Sequence, residues 1–281
     1  MKLVCNPLPL EYRYQVKKSR GFDGQPGPQL VFREGADPTV ILFKEHYLMF
    51  VSMSGGFWYS QDLSDWQYKA TPELPVYDYA PDVTEVNGSV VFSTSKAGEA
   101  CTFFRSADPI NIPFMPVSTT LTYWDLAVFQ DDDGRVYLYW GCSSKEPVYG
   151  VQLDPETLTA IGEKFPLICE NEDTHGWERN GEDNILSPPK DEMEAKIRQF
   201  MGTKPFIEGA FMNKHEGKYY FQYAAPGTQY NVYADGVYTG DSPLDPFKYQ
   251  AHNPFSSKPG GFITAAGHGS TFQSIFCPGR V

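Results

Sequence analysis

Three acids occupy similar places along the chain. They are Asp37 in Ala36-Asp37-Pro38-Thr39-Val40, Asp125 in Trp124-Asp125-Leu126-Ala127-Val128, and Glu208 in Ile207-Glu208-Gly209-Ala210-Phe211. Each opens an apolar run of β-strand character, and each run soon meets a turn and a Tyr-rich partner run. An acid at the first residue of a buried strand is an odd thing to find once. Three in register imply a repeat architecture that gathers the first residues of its inner strands at one axis. Paired carboxylates at such a point are what cleavage of a glycosidic bond requires.

The elements that would position them are repeats. Strands are predicted over 39–43 and 47–53, around Lys44-Glu45-His46, with a third beginning at 57–60. A second unit opens at Tyr79-Ala80-Pro81-Asp82-Val83, turns at Asn87-Gly88, returns over 90–95 and continues at 102–105. The third opens at Asp125, turns at Asp131-Asp132-Asp133-Gly134, and continues through 136–140 and 148–153. The fourth opens at Glu208, turns near Glu216-Gly217, returns through 219–223 and continues at 230–234; a fifth begins near 264–272. Openings at 37, 82, 125, 208 and about 268 include two intervals, 45 and 43, that match a four-stranded propeller blade. The longer third interval holds an insertion, roughly 170–205, in which 190–201 reads as a helix with Asp191 and Glu192 near its start.

The expectation is an all-β, five-bladed β-propeller, a single domain over 1–281 with a short helical insertion. Asp37, Asp125 and Glu208 would then converge at the mouth of a central channel. The fifth blade, about 250–281 with a strand from the N-terminal segment, looks incomplete. Only nine residues follow Phe272, and a full blade needs about three more strands. The C-terminus therefore reads as truncated.

Composition agrees with many short strands and tight turns: 15% aromatic residues, with 18 Tyr, 20 Phe, 25 Gly and 23 Pro. A formal net charge of −12 argues against nucleic acid and anionic membrane partners. The five cysteines, Cys5, Cys101, Cys142, Cys169 and Cys277, are odd in number, widely spaced and without a Cys-x-x-Cys, so they read as scattered thiols. Asp131-Asp132-Asp133-Gly134 lacks the spacing and distal Glu of a calcium loop and reads as a hairpin turn with Gly134 at positive φ. Gly267-His268-Gly269 is too short for a phosphate loop. Residues 1–10 carry two prolines and no long apolar core, so no signal peptide is read there, and no run reaches membrane-spanning length. A cytoplasmic protein is expected, or a secreted one whose first residues are missing.

These pieces, in order, resemble glycoside hydrolase family 43. Ala36-Asp37-Pro38 resembles the segment with that family's general base, and Ser60-Gln61-Asp62-Leu63-Ser64-Asp65-Trp66 its blade end. Tyr79-Ala80-Pro81-Asp82-Val83 resembles its aromatic-Ala-Pro-Asp-Val motif, and Asp125 with Val128-Phe129-Gln130-Asp131-Asp132-Asp133-Gly134 the segment of its third acid. Glu208-Gly209, Lys214 and Gly217-Lys218-Tyr219-Tyr220 resemble the general-acid strand, and Gly267-His268-Gly269-Ser270 the segment of a His over the channel.

The resemblance covers about residues 33–272 and implies a five-bladed propeller with an inverting mechanism. Asp37 would be the base. Glu208 would be the acid, still protonated when substrate binds, and Asp125 its tuner and orienter. Trp58, Tyr79 and Trp124 would offer aromatic faces to the sugar, with core packing the alternative for each. Asp82 is read as structural, or at most lining the channel. The resemblance further implies that His268 contacts substrate, water or a cation, with a structural calcium in the channel and no cofactor required. The implied partner is an oligo- or polysaccharide with arabinofuranoside or xyloside linkages. The alternatives are a non-catalytic glycan-binding propeller and a glycosidase of a related five-bladed family.

Overall fold

The structure, a computed structural model, describes residues 8, 10, 15–20, 25–32, 35–75, 79–96, 99–244, 246–257 and 264–274. The expectations about residues 1–7 and 275–281, which include the leader and the truncated terminus, lie outside the described residues.

A hairpin, β1 (Gln15–Arg20) and β2 (Pro26–Phe32), precedes four antiparallel sheets of four strands each. The first sheet holds β3 (Thr39–Phe43), β4 (His46–Phe50), β5 (Gly56–Ser60) and β6 (Gln67–Ala70). The second holds β7 (Tyr79–Val86), β8 (Ser89–Ser95), β9 (Cys101–Ser106) and β10 (Met115–Leu121). The third holds β11 (Ala127–Gln130), β12 (Val136–Trp140), β13 (Val148–Leu153) and β14 (Ala160–Ile168). Helix α1 (Glu192–Met201) follows in the insertion. The fourth sheet holds β15 (Glu208–His215), β16 (Lys218–Ala225), β17 (Ala234–Gly240) and β18 (Lys248–Tyr249).

Strands pair in chain order within every sheet, and the first strands touch in series: β3 packs on β7, β7 on β11, and β11 on β15. The arrangement is propeller-like, with four sheets radiating from a common axis.

The cores lie between sheets, which is why second strands are apolar on both faces. All five residues of β12 are buried. Phe43, Leu48, Phe50 and Phe57 of the first sheet pack against Val83, Val90, Phe92 and Phe104 of the second. Val86, Val91 and Phe103 then meet Val128, Leu138 and Val151, and Tyr137, Tyr139 and Val148 meet Met212, Phe221 and Tyr223. The turns use the residues that allow a left-handed backbone: Asn87-Gly88 at φ 50° and 74°, and Gly134 at φ 84°.

The outer strands β6, β10, β14 and β18 were not among the sequence expectations. Seven of the nine residues of β14 are exposed, so no burial pattern announces it. The strand expected at 230–234 instead begins at Ala234, because residues 230–233 form a turn closed by Tyr233 N–H to the Tyr230 carbonyl (3.2 Å).

The strand expected at 264–272 carries no sheet pairing over its described part. That run lies between the fourth and first sheets. Gly269 N–H donates to Asp235 Oδ1 (3.3 Å) and Gln222 Nε2 to Thr271 Oγ1 (2.5 Å), both in the fourth sheet's direction. On the other side Val40 N–H donates to Ser270 Oγ (3.2 Å), Ser270 Oγ donates to the Pro38 carbonyl (2.8 Å), and Phe272 meets the Tyr47 ring edge-on.

Helix α1 of the insertion lies at the surface, most of its described residues being exposed. Asp191 caps α1 by accepting from Glu194 N–H (2.8 Å). Glu178, fully buried, ties the insertion to the fourth sheet: it accepts from Tyr223 Oη (2.6 Å) and Asn171 N–H (2.8 Å) and lies 2.9 Å from His175 Nδ1. Among the described residues no helix is long and apolar enough to cross a membrane.

Candidate active site

One bend per unit sets the site. Positive φ occurs at Asp37 (52°), Ala80 (54°), Asp125 (51°), Gly209 (62°) and His268 (58°), each just ahead of an inner run. Asp and His adopt this conformation more readily than most residues, whereas Ala80 holds it at some strain. The expectation of three acids in register is corrected by one residue. Asp37 and Asp125 occupy the bend itself, but in the fourth unit Gly209 occupies it and Glu208 stands one residue earlier. The register shift between Glu208 and Phe211 in the β15–β16 pairing accompanies the Gly209 bend, as the shift between Tyr79 and Asp82 accompanies the Ala80 bend. Gly209 is needed there for a second reason: a Cβ would lie 3.0 Å from His268 Cγ and 3.2 Å from Ala224 Cβ.

The three acids do converge. A carboxylate oxygen of Asp125, one of Glu208 and Cys142 Sγ all lie within 4.8 Å of one another. Asp37 Oδ1 is 3.6 Å from His268 Nδ1, and Asp37 Oδ2 accepts from Ser52 Oγ (2.7 Å), which itself accepts from Ala80 N–H (2.9 Å). Ser95 Oγ accepts from Asp125 N–H (2.9 Å). Glu208 Oε2 receives the Cys142 thiol at 2.9 Å, while its Oε1 is buried without a hydrogen-bond partner.

Electrostatics follow from burial. Asp125 is 4% exposed, and desolvation pushes its pKa to about 7; the charges of Glu208 and Asp37 add to this, while His268 and the Gly209 N–H oppose it. Burial disfavours the charged imidazole of His268, but Asp37, Asp125, Glu208 and Asp235 together hold its pKa above the ordinary value. Burial first, and then the Glu208 charge, hold the Tyr233 phenol well above the usual tyrosine range.

Among the residues expected to bind substrate, Trp124 is half-buried beside Asp125, its carbonyl accepting from Gly141 N–H (3.0 Å). Trp58 is corrected: it is 4% exposed, packed with Val40, Tyr47 and Met49 and tilted against Tyr68 at 5.1 Å, so it has little surface to offer a sugar. The backbone of Tyr79 pairs with Ser95, and its side chain lies outside the described residues. His268 lies among Asp37, Asp125, Glu208 and Asp235.

Sequence reasoning missed Ser52, Ser95, Cys142, Tyr233 and Asp235. Aligning the second strands of the units would have found Ser52 and Ser95, while Cys142 falls one residue out of that alignment. Tyr233 and Asp235 carry no signal, since the turn before β17 was itself read as a strand.

Asp82 begins no bend; it lies two residues past Ala80. It is buried, its Oδ2 accepts from Val128 N–H (2.8 Å), and its Oδ1 has no partner. Desolvation raises its pKa from 3.8 to about 7. A raised pKa means that the stability linked to this group is fully present below pH about 4 and is lost as pH rises through about 7. The separation corresponds to about 4 kcal/mol at pH 8. Asp82→Asn keeps an acceptor for Val128 and has no charge to bury. Its melting temperature should match the parent's near pH 4 and exceed it at pH 8, as followed by calorimetry. A variant no more stable than the parent at pH 8 would contradict this account.

Comparison with known proteins agrees with the site. The sequence model of Glycosyl hydrolases family 43 matches residues 30–275. A beta-xylosidase from Xylanibacter ruminicola is 30% identical over 170 residues, 51% of this chain and 46% of that protein. A xylosidase/arabinosidase from Bacteroides ovatus is 31% identical over 150 residues, 49% of this chain and 43% of that protein. The chain thus spans about half the length of the curated relatives it matches. A solved structure described as an endo-1,4-beta-xylanase from Bacteroides thetaiotaomicron VPI-5482 superposes with TM-score 0.64 at 22% identity, covering 86% of this chain and 81% of that one. With its propeller-like sheets, its three gathered acids and a family match across most of its length, the chain belongs to glycosyl hydrolases family 43.

Proposed function

We propose that this chain forms the catalytic unit of an inverting glycosidase acting on xyloside or arabinofuranoside linkages of plant polysaccharides. The observation that carries the reading is the meeting of Asp37, Asp125 and Glu208, drawn from three different sheets, around His268. In this reading Asp37 is the base: Ser52 and His268 supply the donor and the positive charge that favour a carboxylate able to take a proton from water. Glu208 is the acid, which gives a proton to the leaving group. Asp125, whose carboxylate lies beside that of Glu208, is the residue that orients the acid. Trp124 offers the ring face for the sugar. The sugar class is taken from what the Xylanibacter and Bacteroides relatives are named for.

The full ring is proposed to have five blades in a single domain. The fifth would use the run 264–274, which is held by both the fourth and first sheets and carries its own bend at His268, together with β1 and β2.

Hydrolysis is proposed to need no metal. Asp82 Oδ1, buried and unpartnered, is an oxygen that a structural calcium in the channel would use. His268 faces four carboxylates that favour its protonated form, so a cation taking it as a ligand would have to displace that proton. In that form it balances the acids.

Proton NMR of nitrophenyl xyloside and arabinofuranoside hydrolysis tests the reading. The first-formed sugar is expected to have the inverted anomeric configuration. Initial release of the retained anomer would exclude the mechanism, and binding of xylan or arabinan oligomers without any hydrolysis would favour a non-catalytic glycan-binding role.

A further inference from the structure

Cys142 stands where two other sheets place a serine. In the first sheet Phe50 pairs with Thr39, two residues past the Asp37 bend, and Ser52 lies two residues beyond Phe50. In the second, Ser93 pairs with Asp82, two residues past the Ala80 bend, and Ser95 lies two residues beyond Ser93. In the third, Tyr139 pairs with Ala127, two residues past the Asp125 bend, and Gly141, at φ 149°, admits one extra residue before Cys142. All three side chains therefore leave the end of a second strand and reach toward the next unit's opening. The two serines meet backbone N–H groups there, from Ala80 and Asp125.

The difference lies in what these groups give to the acids. Asp37 receives an O–H bond from Ser52 at 2.7 Å. Glu208 receives an S–H bond from Cys142 at 2.9 Å. A thiol is the weaker donor of the two. It is also a permanent donor here, because burial, together with the charges of Glu208 and Asp125, keeps its proton on through and beyond the usual thiol range. Glu208 is 8% exposed, and its second oxygen has no hydrogen-bond partner.

We propose that Cys142 is a positioning residue that aims the Glu208 carboxyl while stabilising its charge less than a hydroxyl would, so that Glu208 keeps the proton it must deliver. Ser52, by contrast, favours the charged form of Asp37. The choice of sulfur or oxygen at one repeated position thus separates an acid from a base. This rests on the roles assigned under the proposed function.

The experiment compares pH profiles of kcat/KM for the parent, Cys142→Ser and Cys142→Ala. A hydroxyl donor favours ionised Glu208, so the basic limb of Cys142→Ser should move to lower pH by about one unit. Its activity relative to the parent should then fall about tenfold more on the basic side than on the acid side. Cys142→Ala, which removes the donor, should move the limb to higher pH. A purely structural role would lower the rate by the same factor at every pH. A limb that stays in place, or moves up, in Cys142→Ser would overturn the proposal.

A second readout does not depend on turnover. Difference infrared spectroscopy follows the carbonyl band of protonated Glu208, identified by its loss in Glu208→Gln. Its titration midpoint should be lower in Cys142→Ser than in the parent. An inactive parent would defeat the assigned function, whereas equal midpoints would defeat the role of Cys142.

Discussion

Glu208→Gln is expected to lower kcat/KM on xylo- or arabino-oligosaccharides by about 10³–10⁴, and by less than about tenfold on a dinitrophenyl glycoside. The two substrates differ in what the leaving group asks of the enzyme. A sugar alkoxide needs a proton as the bond breaks, and Gln has none to give at the right acidity. A dinitrophenolate leaves without one. Gln is close to Glu in shape, and its amide oxygen still accepts the Cys142 thiol that now reaches Oε2. The loss is therefore chemical, and the melting temperature should stay near the parent's. Equal losses on both substrates would show that Glu208 does something other than protonate a leaving group.

Asp37→Asn should behave differently. An Asn cannot take a proton from water, so the rate falls by about 10³ or more on both substrates, whatever the leaving group. Asn retains an acceptor for Ser52 Oγ, so the link from Asp37 through Ser52 to Ala80 N–H stays closed. His268 loses one of the four carboxylates that favour its charged form. Added azide, which needs no base, should restore turnover and yield an inverted glycosyl azide, detectable by NMR. Absence of rescue combined with a leaving-group dependence like that of Glu208→Gln would exchange the roles of the two acids.

The inner hairpins were legible in the sequence because their signals are local. The expected 39–43, 136–140 and 148–153 coincide with β3, β12 and β13, since their apolar runs end at unmistakable turns. The outer strands were not legible, because strands such as β6 and β14 have one side open to solvent and carry little apolar pattern. The acids could be found by type, but their register could not. Aligning Glu208 with Asp37 and Asp125 matches the chemistry, while the backbone bend falls on Gly209. Trp58 shows the limit of residue type as a guide, for a Trp in a blade core and a Trp under a sugar look the same in sequence. Cys142 acts across a sheet boundary, and no local pattern reports such a contact.

The seam at Ser270 also dates the site during synthesis. Asp37 and the β3–β4 hairpin can form early from neighbouring residues, yet His268 and Ser270, which complete the surroundings of Asp37, are made more than two hundred residues later. At roughly 5–20 residues per second, a ribosome takes on the order of ten to fifty seconds to cover that distance. For that interval the first sheet stands with one flank uncovered, and contacts of such sequence separation are the slow ones to form. The nascent protein passes through a stage in which Asp125 and Glu208 can already meet but Asp37 still lacks His268, so the surroundings of Asp37 wait on the last seam.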